Sequence, residues 1–214
     1  WMSICRDLMK FNLTRLAERR RVNRGGIDPY DTFSFIRQIS EKFPVLIFWL
    51  VGDLGPKDRN SDVNVKAHAQ LIREMDSCCS VNLHPSYASD SKKNGIESEK
   101  KRLEKILGHE LNKSRQHFLR LNIPKTFGVL TELGFKHEYS MGFAESAGFR
   151  CGTARAHFWY DLAKDEVTQL MIHPFVYMDG TLNEYMNLTI DEAKKIVKEL
   201  YAEVSTFGGD FAFI

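Results

Sequence analysis

The stretch SVNLHPSYASD at 80–90 ends an apolar-alternating run on a histidine, His84, then turns at a proline and continues through small hydroxyl residues. A neutral imidazole at a strand end can bind a divalent metal or shuttle a proton. The alternative is a histidine that only bonds a loop carbonyl. Ser86, Tyr87 and Ser89 add donors suited to a sugar or carbonyl oxygen, and are equally ordinary turn formers. A second group is SRQHFLR at 114–120, where strand alternation puts Arg115, His117 and Leu119 on one face and Gln116, Phe118 and Arg120 on the other. An arginine and a histidine side by side are costly in a dry core, so they are expected at a polar site or barrel mouth, with an exposed edge strand as the alternative. GFRCGT at 148–153 places Arg150 between glycines, in a loop open to close backbone approach, with its cationic head suited to an anionic group. Asp179 in YMDGTL and Asp53 after LVG are turn carboxylates that could also meet substrate. His68, His109, His137 and His157 have no sequence neighbours that single them out.

These residues need a scaffold, and the pattern around them alternates strand with helix. Ile4, Leu8, Phe11 and Leu16 predict a helix over 2–22, stopped at Gly25-Gly26. Asp28-Pro29 reads as the start of a second helix with Phe33, Phe35, Ile36 and Ile39 buried. VLIFWLVG follows as a strand buried on both faces, as in a parallel sheet. Helices are expected over 62–76, 95–108, 123–134 and 189–209, and strands at 79–83, 114–121, 135–139, 157–162, 169–178 and in DFAFI at 210–214. Ile190, Ala193, Ile196, Val197, Leu200 and Val204 form the inward face of the last helix. Repeated alternation without a linker signals a parallel α/β architecture, wound into a barrel or a doubly wound sheet. In either form function gathers at the carboxyl ends of the strands, where Asp53, His84 and His117 fall by position.

Composition sets outer limits. A chain of 214 residues, 43% hydrophobic and 12% aromatic, supports one globular domain with a full core. Thirty basic against 28 acidic residues give no argument for a nucleic-acid partner. The basic run RLAERRRVNR at 15–24 lacks interleaved aromatics and reads as a solvated helix end. Cysteines at 5, 78, 79 and 151 show no CxxC spacing, so reduced thiols and a cytoplasmic site are the simpler expectation. The longest apolar run, PVLIFWLVG, is strand-sized and not a membrane span. The chain opens on Trp1 and closes on GGDFAFI, so both ends read as cut from a longer protein, with 1–27 a helical lead-in.

LIFWLVG at 46–52, VNLHPSYAS at 81–89, RLEKILG at 102–108, RQHFL at 115–119 and IPKTFGVLTELGF at 123–135 follow an order that resembles the polysaccharide deacetylases, metal-dependent carbohydrate esterases on a distorted (β/α) barrel. HPSYAS, SRQHFL, GFRCGT and YMDGTL together look like an uncharacterised bacterial branch of that family. The resemblance implies a single, incomplete (β/α) barrel over 1–214 that removes acetyl groups from N-acetylated saccharides, with Zn, Co, Ni or Mn as the divalent cofactor. His84 matches the first histidine of the family's metal motif, while the second falls on Ala88. Arg115 matches the groove arginine that orients the catalytic aspartate, and Phe118 its aromatic. His117 stands where the family has proline and is the candidate for the missing imidazole, both as metal ligand and in catalysis. Ser86, Tyr87, Phe118, Arg150 and Asp179 are the candidate saccharide contacts. The family's Asp-Asp pair and closing histidine have no match in 1–27 or after DFAFI, so this stretch alone is expected to be inactive. His173, in QLMIHPF, resembles the closing Leu-x-x-His motif, but a helix and strand still follow it. A catalytically dead glycan-binding barrel and a metal-independent structural module are the competing readings.

Overall fold

The computed structural model describes residues 13–89 and 94–214, in two compact units, Trp1–Val45 and Leu46–Ile214. The front part of the first expected helix and Cys5 lie outside the described residues. In the first unit, helix α1 (Leu13–Asn23) carries Arg20 and Arg21 in its last turn and ends at Gly25, whose φ of 88 suits a residue without Cβ. Its basic run is mostly solvent-exposed, as expected for a solvated helix. Helix α2 (Phe33–Ser40) begins later than Asp28-Pro29 suggested. Asp28 instead accepts the Tyr30 N–H at 3.0 Å, closing a local turn that competes with helix. No α2 residue is buried and Phe35 is 60% exposed, against the buried side expected for it.

The second unit is an α/β sheet. Strands β1 (Leu46–Trp49), β2 (Ser80–Leu83), β3 (Lys113–Ser114), β4 (His137–Glu138), β5 (His157–Asp161) and β6 (Glu166–Ile172) pair in the order β1-β2-β3-β4-β6-β5. Pairing is parallel from β1 through β6, and β5 closes the edge as an antiparallel hairpin partner of β6. Each parallel strand adds to the same side of its predecessor. A doubly wound sheet would reverse direction, so this is the winding of a distorted, incomplete (β/α) barrel. A parallel bridge between Tyr177 and Phe213 continues it past β6 and brings in DFAFI, which forms a bridge and not a full strand.

Helices α3 (Lys66–Asp76), α4 (Gly95–Leu107) and α5 (Lys125–Glu132) cover one sheet face. Ile72, Met75, Leu103 and Leu130 are fully buried, as are Leu83 and Leu170 of the sheet. Burial alternates along the strands and beyond their ends: Ser114 and Gln116 buried with Arg115 and His117 half-buried, Glu138 and Ser140 buried with His137 and Tyr139 half-buried. The outer face therefore carries the core, and the inner face carries polar and aromatic side chains. Helix α6 (Ile190–Phe207) starts with a reciprocal capping box between Thr189 and Glu192. Of its expected inward face only Val204 is buried, against Ala154 and Val176, and Ile190 is 74% exposed.

The expected strand over 114–121 stops at Ser114. His117–Leu119 form a 3₁₀ turn, with Phe118 at φ 57 and Leu119 at φ 49. Alternation holds through His117 and then fails, because two left-handed residues reverse the chain. Leu119 leaves the face of Arg115, and Phe118 points to solvent, 60% exposed.

The loop after β2 packs tightly on the start of α4, where a Cβ on Gly95 would lie 2.3 Å from the Ser89 carbonyl oxygen. Backbone cannot yield there. Gly95→Ala is expected to destabilise by about 1–3 kcal/mol. Gly128→Ala, with nothing within 4 Å of its Cβ, is expected to be neutral or mildly stabilising. Urea unfolding of both variants checks this contrast.

Candidate active site

The parallel ladder runs past the strand ends and fixes the backbone of the candidate residues. His84 N–H donates to Trp49 O at 3.0 Å, Arg115 N–H to Leu83 O at 3.1 Å, and His117 N–H to Pro85 O at 3.1 Å. This sets the His84 and His117 rings 5.0 Å apart, centroid to centroid, on the carboxyl rim. His84 Nδ1 faces the Arg115 carbonyl, which can only accept, so Nδ1 carries the proton and Nε2 keeps its lone pair. Burial, reinforced by the Arg115 charge, drives the His84 pKa down to about 3. The imidazole is therefore neutral at any working pH.

His117 Nδ1 lies 3.0 Å from Asp58 Oδ1. Asp58 is 2% exposed and also accepts the Tyr87 N–H at 2.7 Å and the Ala88 N–H at 3.1 Å. Burial opposes its ionisation, but His117 and the two backbone donors outweigh burial and leave its pKa below the ordinary value. A carboxylate can only accept, so Nδ1 of His117 carries a proton and Nε2 is the ring's other nitrogen available to a partner. Sequence reasoning weighed Asp53 and passed over Asp58, whose only signal was an acid in the loop after the first strand. Asp53 instead pairs with Arg102 at 2.7 Å.

The other candidates divide. Tyr87 and Phe118 meet edge to face at 5.8 Å, and Phe118 lies 4.6 Å from the His117 ring. Phe118 and Arg150 line one cleft of about 280 Å³ together with Leu119, Gly142 and Glu145. Arg115 sits on the inner face, its guanidinium carbon 5.4 Å from the Phe48 ring centre. Its Nε is buried with no hydrogen-bond partner among the described residues. Ser86 is not a free donor: it is 3% exposed and its hydroxyl donates to Glu99 at 2.6 Å, because the loop needs that bond to hold its turn. Asp179 is exposed, accepts the Gly180 N–H at 2.6 Å, and makes no contact with His84 or His117 among the described residues.

Sequence reasoning also gave no role to a second imidazole pair. His137 Nδ1 and His173 Nε2 are 2.9 Å apart, and Tyr139 stacks on His173 at 4.4 Å. Tyr139 in turn meets Phe48 at 5.3 Å, so an aromatic chain links this pair to Arg115 along the inner face. Burial and the His137 neighbour bring His173 down to about 4. On the opposite face Glu138 is fully buried and accepts the Ser140 N–H at 2.9 Å, while the Ser140 hydroxyl takes the Gln116 N–H at 2.7 Å. Burial pushes the Glu138 pKa up to about 7.

Among the described residues no group of three or more His, Cys, Asp or Glu side chains is placed to hold a metal ion. The His84 and His117 rings each have an oxygen on Nδ1, as metal-bound histidines usually do, so their Nε2 atoms are the ones that could serve a divalent ion. No helix among the described residues is long and apolar enough to cross a membrane.

No protein-family model matches the chain, and no curated protein matches it. Solved structures do. A Mycobacterium smegmatis protein assigned to the polysaccharide deacetylases superposes with a TM-score of 0.57 at 14% identity, over 86% of this chain and 63% of that one. A Bordetella bronchiseptica protein assigned to the same group and linked to O-antigen biosynthesis gives a TM-score of 0.46 at 10% identity, over 72% and 54% of the two chains. IcaB from Ammonifex degensii gives 0.38 at 20% identity, over 50% and 52%. In each case this chain spans less than two thirds of the other. The M. smegmatis match shows the fold, an α/β barrel of the same type as that structure, in agreement with the fold implied by the order LIFWLVG, VNLHPSYAS, RLEKILG and RQHFL.

Two outcomes follow from the buried acids. Asp58→Asn leaves one oxygen for the Tyr87 and His117 donors but turns an amide N–H against the Ala88 N–H and removes the charge, and is expected to destabilise by about 1–3 kcal/mol in denaturant titration. Glu138 keeps its proton in the fold to about pH 7, whereas the unfolded carboxyl ionises above the ordinary value of 4.5, so its contribution to stability is full below 4.5 and declines as pH rises toward about 7. Glu138→Gln, which mimics the protonated form, is expected to flatten that decline, read as Tm against pH.

Proposed function

We propose that this chain carries the substrate-side part of a hydrolase that removes acetyl groups from N-acetylated saccharides. The observation that carries the reading is the His84–His117 pair on the carboxyl rim, each ring with an oxygen on Nδ1. His84, its pKa brought down to about 3 by burial, offers a lone pair at Nε2 while Nδ1 keeps its proton on the Arg115 carbonyl. Asp58 accepts from Nδ1 of His117 and orients the ring, which leaves Nε2 to take a proton from water or to hold a cation. Arg115 brings a fixed cation to the inner face, suited to a substrate oxygen. Phe118, exposed beside the cleft, offers a stacking surface for a sugar ring. A divalent ion held by His84 and His117 would lower the pKa of bound water and polarise the acetamide carbonyl. Zn, Co, Ni and Mn all accept imidazole nitrogen.

A glycan-binding barrel without turnover is the second reading, favoured by Ala88 and by the lack of a third ligand among the described residues. Acetate release from N-acetylated oligosaccharides separates the two, measured on the full-length protein with added divalent metal, with chelator, and as His84→Ala. For the hydrolase, release requires metal and falls by about 100-fold or more in the variant. Glycan binding with no acetate under any metal establishes the binding module instead.

A further inference from the structure

Two adjacent thiols meet where α3 gives way to β2. Cys78 and Cys79 place their sulfurs 3.7 Å apart, and neither is in a disulfide. Consecutive side chains diverge in a helix and point to opposite faces of a strand, so contact between neighbours belongs to the turn. One acceptor fixes that turn. The Met75 carbonyl takes the Cys79 N–H at 2.8 Å and the Cys78 N–H at 3.3 Å. The Cys78 thiol lies 3.5 Å from the same carbonyl oxygen and 3.9 Å from that of Glu74, at the carboxyl end of α3. A helix carboxyl end carries partial negative charge and so favours a cation. Asp76 adds a carboxylate to this end of the helix, where it accepts the Val81 N–H at 3.1 Å and pairs with His109 at 2.8 Å. Cys78 is exposed and Cys79 half-buried, so the pair is open to solvent.

Two lengths select the chemistry. Two zinc–sulfur bonds of about 2.3 Å at a tetrahedral angle span about 3.8 Å, close to the observed 3.7 Å. Adjacent Cα atoms lie about 3.8 Å apart across a trans peptide, below the range of about 4.4–6.8 Å that disulfides usually take. The pair is therefore better suited to hold one ion between its sulfurs than to close on itself. We propose that Cys78 and Cys79 form a surface site for a soft divalent cation, Zn²⁺ or Cd²⁺. Each thiol gives its proton to solvent, two metal–sulfur bonds form, and no electron is transferred. Waters complete the coordination, since among the described residues no third His, Cys, Asp or Glu is placed to join the two sulfurs. The site stands at the amino end of β2, whereas His84 follows the carboxyl end of that strand, and it is independent of the hydrolase reading.

Cd²⁺ titration of the full-length protein in its reduced form tests this, because the ultraviolet band of a cadmium–thiolate bond reports sulfur ligands and not imidazole. The expected result is a saturating band that strengthens as pH rises and that Zn²⁺ added first suppresses. Cys78→Ser and Cys79→Ser each lower the affinity at least about 100-fold, as loss of one of two ligands requires. Cys78 is on the surface, so its variant reads the site even where that of the half-buried Cys79 does not fold. No band, or a band that survives Cys78→Ser with its affinity intact, overturns the proposal. So does a Cys78–Cys79 disulfide that forms with oxidised glutathione in the presence of Cd²⁺, found by mass spectrometry, since a bound ion blocks that exchange.

Discussion

Asp58 is a carboxylate buried to 2% exposure with three donors aimed at it, and the rim is organised around that one group. A charge removed from water costs several kcal/mol unless its lone pairs are met. Here the Tyr87 and Ala88 amides and the His117 ring meet them, so ionised Asp58 ties the loop after β1 to the loops after β2 and β3. His117 owes its orientation to that tie. The Phe118 ring, tilted against the His117 ring at 4.6 Å, is held beside the same contact.

The sheet keeps its two faces chemically separate. The outer face carries Leu83 and Leu170 against Ile72, Leu103 and Leu130, all closed to solvent. The inner face carries Phe48, Arg115, Tyr139, His137 and His173 in ring-to-ring and cation-to-ring contact. Polar atoms gather where the strands end, because the ladder there no longer uses every backbone group and side chains and solvent must complete the bonding. The alternation continues beyond β3 as far as His117, and so delivers Arg115 and His117 to the inner face.

Burial also sets the protonation states. His84 at about 3 and His173 at about 4 stay neutral because desolvation penalises the imidazolium, and Glu138 is held toward its acid form by the same penalty. The rim thus presents neutral nitrogens and one ionised carboxylate beside surface cations. Such a surface suits lone-pair donation better than strong acid chemistry.

Much of this architecture was legible in the residues themselves. The run LIFWLVG, the helix GIESEKKRLEKILG with its glycine stop, and the alternation of strand with helix announce a parallel α/β architecture, because period and capping are local properties, and the strand order decides between a barrel and a doubly wound sheet. His84 at a strand end was legible for the same reason, and so was the outward loop of Arg150. Phe118 and Leu119 broke the expected strand at 114–121, since left-handed backbone in bulky residues is imposed by tertiary packing and leaves no mark in composition. Ser86 looked like a free donor until folding brought Glu99 against it. Asp58 meets His117 across 59 residues, and His137 meets His173 across 36, so no window of sequence contains either pair. The sequence by itself determined the fold class and the rim on which chemistry could occur. Tertiary structure decided which carboxylate serves which imidazole and which imidazoles meet, because those pairings depend on distances that the chain acquires only when its loops close over the strand ends.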